Sequence, residues 1–246
     1  MKNALILFGD GINCEGESEV AFRRAGAETA LLHVNRFLEE PEILLDFQIL
    51  CLPGGFSFGD ELRSGKILAE KMRPSWNQVF PQFLKNGGLT LGICNGFQVL
   101  IQLGVFEQNS NDRTLTLATN DHGRFHDQWV EVLIDPSGAK SPWFQGISGS
   151  LFLPIRHKEG RIIFEAKSTS FTPWIPLKYR EDVNGAYQQG AALLDPTGQI
   201  LGLMPHPEAA LEDFLNPLSE RTDRTQNADK VRKIFTNAVS NPTRIT

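Results

Sequence analysis

Cys94 lies in the stretch LTLGICNGFQVL, Leu89 to Leu100, between Gly92 and Gly96. Up to Gly92 the residues are few, apolar and strand-like. From Phe97 onward, Phe97, Val99, Leu100, Ile101 and Leu103 supply an apolar stripe wide enough for a buried helix. The cysteine therefore falls on a strand-to-helix turn, where many α/β enzymes keep a nucleophile. Small residues two positions away on each side leave such a side chain exposed without steric clash. A helix beginning near Asn95 points its N-terminus at the sulfur, and its partial positive charge favours the reactive thiolate. The backbone N–H of Asn95 is also placed to meet an oxyanion. The competing reading is a buried structural cysteine, the commoner fate of this residue type. Cys14 and Cys51 fit that reading, Cys51 lying within an apolar strand.

A thiolate that expels an amine needs an acid–base group and a partner to orient it. Among five histidines, His206 in LGLMPHPEAAL is the suggestive one. It ends a predicted strand, and Pro207 biases it towards an extended conformation. In extended chain, residues i and i+2 point to the same side, so the His206 imidazole and Glu208 carboxylate can be neighbours. Alternatively, Pro-His-Pro is a stiff turn and Glu208 starts the next helix in a capping role. In LPGGFSFGD, Leu52 to Asp60, Gly54 and Gly55 follow a strand and let backbone N–H groups approach a ligand. That offers a second oxyanion donor, or an ordinary strand-end turn. Gln98, four residues after Cys94, shares its helical face; it is a substrate contact or a satisfied core glutamine. Asp60, Glu61 and Arg63 read as solvated or capping residues.

These groups must be positioned by regular elements. NALILF (from Asn3), ETALLHV (from Glu28) and FQILCLP (from Phe47) are strand candidates, and ESEVAFRRAG is a helix ended by Gly26. A helix is predicted over ELRSGKILAEKM, with Pro74 as its stop signal. NQVFPQFLKNGG is a further helix, interrupted by Pro81. Strands alternating with helices argue for a largely parallel sheet covered on both faces. After Gly104 come short alternating runs, WVEVLI, LFLPI, RIIFEA, GAALLD and QILGLMP, with DPTGQ a turn between the last two. These predict mixed or antiparallel strands added to the parallel core. NPLSERTDRTQN reads as a polar loop and ADKVRKIFTNAV as a closing helix. The expected fold is α/β, a three-layer sandwich with a mostly parallel central sheet plus antiparallel additions, in a single domain over 1–246.

Composition limits the rest. The 246 residues are 41% hydrophobic and 22% charged with a net charge of −5, which predicts no electrostatic capture of nucleic acid or an anionic membrane. No apolar run approaches the roughly 20 residues of a membrane span, and Ala4 to Phe8 is too short for a signal-peptide core. Three scattered cysteines suit a reducing, cytoplasmic setting better than a disulfide framework. The histidines show no metal-ligand spacing, so no metal is expected.

GICNGFQVL, PGGFSFGDELRSG and LMPHPE together resemble the class I (triad) glutamine amidotransferases. Among these the chain is most similar to the glutaminase-subunit family of phosphoribosylformylglycinamidine synthases. The residue after the cysteine in CNGFQ and the long PGGFS-aromatic-GD-x-LR-x-G run carry that likeness. GINCEGE, GRF at Gly123, LPIRHKEGR and VNGA at Val183 extend it, so that it runs from about Gly9 to Glu208. The resemblance implies Cys94 as nucleophile, His206 as acid–base and Glu208 as its orienter. It also implies an oxyanion hole from Gly55 and Asn95, with Gly54 and Gln98 binding glutamine. It further implies ammonia delivery to a synthase large subunit, with a small third subunit completing the complex. That partner, not this chain, would use ATP and magnesium to convert formylglycinamide ribonucleotide to the formylglycinamidine in purine synthesis. Departures are His157-Lys158-Glu159-Gly160 where the family shows HGEG, Ala209 where it shows HPER, and Phe58 for a tyrosine. The alternatives are a free-standing cysteine amidase or γ-glutamyl hydrolase, and a non-catalytic binding protein on the same fold.

Overall fold

The computed structural model describes residues 2–107, 114–165, 172–217 and 227–241. Its main sheet contains β1 (Asn3–Phe8), β2 (Glu28–His33), β3 (Ile49–Leu52), β4 (Leu89–Ile93), β10 (Ala192–Leu194) and β11 (Ile200–Leu203). The order is β10-β11-β4-β3-β1-β2. All neighbours are parallel except β10, which runs antiparallel to β11 at one edge. Strands β3, β4 and β11 are buried along their whole length. Their largely apolar runs, broken by a polar side chain only at Thr90 of β4, follow from burial on both faces, which leaves no solvent side for polar residues.

Parallel neighbours need crossovers, and these are made by α1 (Glu15–Arg24), α2 (Val34–Glu39), α3 (Lys66–Lys85) and α4 (Asn95–Leu103). The right-handed crossover rule places α1 on one face of the sheet and α2, α3 and α4 on the other. The final helix, α5 (Asn227–Ser240), joins α1, where Phe22 and Phe235 meet edge to face at 5.2 Å. Helix α4 lies so close on β11 that a Cβ on Gly202 would stand 2.1 Å from the Phe97 ring.

The remaining strands form two small antiparallel sheets. In one, β6 (His126–Ile134) is central between β7 (Ser150–His157) and β9 (Leu177–Tyr179). In the other, β5 (Leu115–Thr119) pairs with β8 (Glu159–Phe164). The DPTGQ turn joins β10 to β11, and Asp195 holds it by accepting from the Thr197 and Ile200 N–H groups. Most of the loop predicted at NPLSERTDRTQN, 218–226, lies outside the described residues.

The prolines correct the sequence reading. Pro74 does not end a helix: α3 runs through both Pro74 and Pro81. An interior proline costs about 3 kcal/mol in a helix. Here Leu68, Met72, Trp76, Val79, Phe80 and Phe83 keep one continuous buried stripe across both sites, and that burial offsets the cost. The helix also starts later than predicted. Gly65 is left-handed (φ 72°), and a Cβ there would lie 2.7 Å from the Val99 nitrogen. Residues 61–65 therefore belong to the loop packed against α4.

Candidate active site

Three adjacent parallel strands, β3, β4 and β11, end side by side, and each delivers one predicted group. Such carboxyl ends form the crevice where open α/β sheets place ligands. Cys94 follows β4 directly, and its N–H donates to the Leu203 carbonyl at the end of β11 (2.8 Å). Its backbone is strained, with φ 49° and ψ −103°. Conformations of this kind cost about 1–3 kcal/mol and persist only when the surroundings enforce them. Gly92 and Gly96 are part of the enforcement: a Cβ on Gly96 would sit 1.9 Å from the Leu52 carbonyl oxygen, and one on Gly92 would strike Leu100. The Cys94 thiol is buried and directed at the Arg156 carbonyl of β7, at 3.6 Å.

His206 leaves β11 and is fixed by its own N–H donating to the Pro154 carbonyl (2.9 Å). Its Nδ1 and the Glu208 Oε1 are 2.6 Å apart, and both side chains are buried. The route to that contact differs from the sequence expectation. Pro207 to Ala209 form a tight 3-10 turn rather than extended chain, so the stiff turn and the pairing are one feature. Burial alone would lower the His206 pKa. Glu208, then Cys94 and Cys14, favour the imidazolium more strongly and hold it well above 6.5. Among the described residues the ring's Nε2 closes no hydrogen bond of ordinary geometry, although Cys94 is near enough to act on the ring.

Gly54 and Gly55 follow β3. The Gly54 carbonyl accepts from the Asn13 and Cys14 N–H groups, at 3.3 and 3.2 Å. Across a trans peptide the Gly55 N–H points the opposite way from that carbonyl. A side chain on Gly54 would meet the His206 ring, and one on Gly55 (φ 151°) would meet the Gly11 and Ile12 backbone.

Asn95 and Gln98 tie this loop to α4. The Asn95 side chain accepts from the Ser57 N–H (3.2 Å) and donates to Asp60 (3.2 Å) and to the Gln98 Oε1 (2.9 Å). Gln98 then donates to the Glu159 carbonyl (2.6 Å). Asp60 is not the solvated or capping residue that the sequence suggests. It is a half-buried acceptor for Ser64 and Asn95, and its pKa is raised by burial against the pull of those bonds.

Cys14, which the sequence suggests is a buried structural cysteine, is only partly buried and stands beside the site. Its Sγ, the His206 ring and the Glu208 carboxylate lie within 4.8 Å of one another. Nothing in local periodicity places Cys14 there; GINCEGE, as a family motif, is the available signal. His157 is a further residue that sequence reasoning does not single out. It is buried and its Nδ1 bonds to Asn120 Oδ1 (3.1 Å). Burial, with help from His206, His126 and His122, lowers its pKa to about 3. A cavity of about 750 Å³ lies elsewhere, lined by Lys85, Lys140, Thr197 and Gln199, and holds none of the predicted site residues.

Residues 1–240 match the CobB/CobQ-like glutamine amidotransferase domain, and the chain belongs to that family. It is 35% identical to phosphoribosylformylglycinamidine synthase subunit PurQ of Dehalococcoides mccartyi, covering 96% of this chain and 95% of that one. It is 37% identical to the PurQ subunit of Methanococcus maripaludis, over 88% and 85% of the two chains. Among solved structures, PurLQS from Thermotoga maritima superposes with a TM-score of 0.76 at 27% identity, covering 97% and 98%. The mixed sheet is the glutamine amidotransferase fold. Among the described residues no helix is long and apolar enough to cross a membrane.

Proposed function

We propose that this chain is the glutaminase subunit of a phosphoribosylformylglycinamidine synthase, working in the cytoplasm with a synthase large subunit and a small third subunit. The likeness to PurQ subunits over nearly the whole chain supports the assignment. The observation that carries the chemistry is the convergence of Cys94, after β4, with His206 and Glu208, after the neighbouring β11.

Cys94 gives its proton to His206 and attacks the side-chain amide carbon of glutamine, forming the C–S bond. The tetrahedral oxyanion is held by the Asn95 and Gly55 N–H groups. His206, kept protonated by Glu208, passes the proton to the amine as the C–N bond breaks, releasing ammonia. His206 then takes a proton from water, which cleaves the glutamyl thioester to glutamate and restores the Cys94 thiol. Gly54 and Gln98 shape the glutamine site. The hydrolysis uses no metal or cofactor of this chain; ATP and magnesium serve the synthase.

Ammonia released without an acceptor wastes glutamine, so the free subunit is held nearly silent. The switch is the Gly54–Gly55 peptide. Turning it exchanges the Gly54 carbonyl and the Gly55 N–H, at the loss of the Asn13 and Cys14 hydrogen bonds. Losing one oxyanion donor costs about 100- to 1,000-fold in rate. The test is steady-state glutamine hydrolysis by the chain alone, then with synthase and nucleotide. Activation of that order is expected. A free chain that already matches the complex would overturn the assignment of this switch and favour a free-standing hydrolase.

A further inference from the structure

We infer that Cys14, His206 and Glu208 form a binding site for zinc or a similar thiophilic divalent cation, and that occupation of this site switches off the catalytic histidine. The inhibition rests on the catalytic role given above to His206; the binding does not.

The donor set is a thiol, an imidazole and a carboxylate, the ligand types that zinc takes up. Their ligand atoms lie within 4.8 Å of one another. Zinc bonds of about 2.0–2.3 Å place tetrahedral ligands roughly 3.5 Å apart, so small side-chain movements suffice. A second feature points to a ligand. The Glu208 Oε2 is buried and has no hydrogen-bond partner among the described residues, and Glu208 is 3% exposed. The position is approachable, because Cys14 is only partly buried; its Sγ contacts Asn13 Oδ1 at 3.4 Å and is turned towards the His206 ring.

The cation belongs on Nδ1. A Cβ on Gly54 would touch the Cys14 Sγ and the Cε1–Nδ1 edge of His206 together, at 3.3, 2.7 and 3.4 Å. Cys14 therefore lies on the same side of the ring as Glu208, which already contacts Nδ1. Metal at that point replaces the Nδ1 proton of the imidazolium between His206 and Glu208, and both that proton and the Cys14 thiol proton pass to solvent as the N–metal and S–metal bonds form. The imidazole's remaining proton must then sit on Nε2. That nitrogen no longer has a lone pair, so the ring can accept a proton neither from Cys94 nor from water. Loss of general-base function is expected to slow hydrolysis by about 100-fold or more.

Cobalt(II) is the probe, added to the full chain carrying Cys94→Ser so that the nucleophile cannot be the ligand. Cys51, fully buried in β3, feels the charges of Glu208 and Cys14, so it is replaced by alanine in every chain used for this titration. Thiolate-to-cobalt absorption in the near ultraviolet should grow to one equivalent, be displaced by zinc, and vanish when Cys14→Ser is added. Should the double variant not fold, alkylation of Cys14 on the folded Cys94→Ser chain tests the same ligand. Absence of the band in Cys94→Ser, or its persistence once Cys14 is removed or blocked, overturns the site. If the band behaves as expected but zinc leaves hydrolysis by the wild-type complex intact, the inhibition is refuted. If His206→Ala is also fully active, the failure lies in the catalytic role of His206 and not in the metal site.

Discussion

Gly54→Ala tests whether the placement of His206 governs turnover. The new Cβ would stand 2.7 Å from the His206 Cε1, against the roughly 3.5–4.0 Å at which carbon atoms rest. An overlap of about 1 Å must be relieved. The Gly54 Cα is poorly able to shift, because β3 directly behind it is fully buried; turning of the Gly54–Gly55 peptide moves the carbonyl and the N–H, and leaves that Cα in place. The imidazole therefore moves, by about the overlap, and its 2.6 Å contact with Glu208 opens. A displacement of that size costs about 100-fold in rate, equivalent to roughly 2.7 kcal/mol in the barrier. Overpacking of this kind costs about 1–3 kcal/mol of stability, so a thermal melt must accompany the kinetics. The assay is glutamine hydrolysis by the chain in complex with its synthase. A folded Gly54→Ala chain that retains kcat within about threefold of wild type would refute the reasoning, since the ring's position would then not be critical.

Three further outcomes are expected. Cys94→Ser should abolish glutamine-dependent synthesis while ammonia-dependent synthesis by the assembled complex survives, because only the first half-reaction uses the thiolate; loss of both in an intact complex would contradict this division. Glu208→Gln should slow hydrolysis less than His206→Ala, since an orienting carboxylate acts through the imidazole; negligible effects of both would remove this pair from the chemistry. His157 gives a stability signature. Its pKa is about 3 in the fold against 6.5 when unfolded, so its contribution is fully present above pH 6.5 and is lost as pH falls towards 3. At pH 5 the loss is about 2 kcal/mol, from about 1.36 kcal/mol for each of roughly 1.5 pH units. The stability gap between wild type and His157→Asn, measured by urea unfolding, should shrink by that amount between pH 8 and pH 5; a constant gap would show that His157 is not held neutral.

Much of the main sheet was legible because a strand buried on both faces is built mostly of apolar residues, as β3, β4 and β11 are, with Thr90 the polar exception. Helix ends were less legible. Pro74 is a stop signal in local terms, yet the buried stripe from Leu68 to Phe83 outweighs it, and that stripe counts only when there is a sheet and a neighbouring helix to bury it against. Strands β5 and β9 were not anticipated; their pairing with β8 and β6 spans long sequence separations that no local pattern reports.

The site divides in the same way. The strand-to-helix turn at Cys94 and the closeness of His206 to Glu208 are local, set by glycines, a proline and a spacing of two residues, so the sequence alone determined them. Only the tertiary structure decided what surrounds them. Cys14 reaches His206 because the loop after β1 is bonded to the Gly54 carbonyl after β3. Asp60 is drawn half out of solvent because Asn95, 35 residues further on, donates to it. Distant strand ends become neighbours through the order in which the sheet is laid down, and that order is fixed by crossover handedness and burial of the whole core rather than by any single stretch of chain.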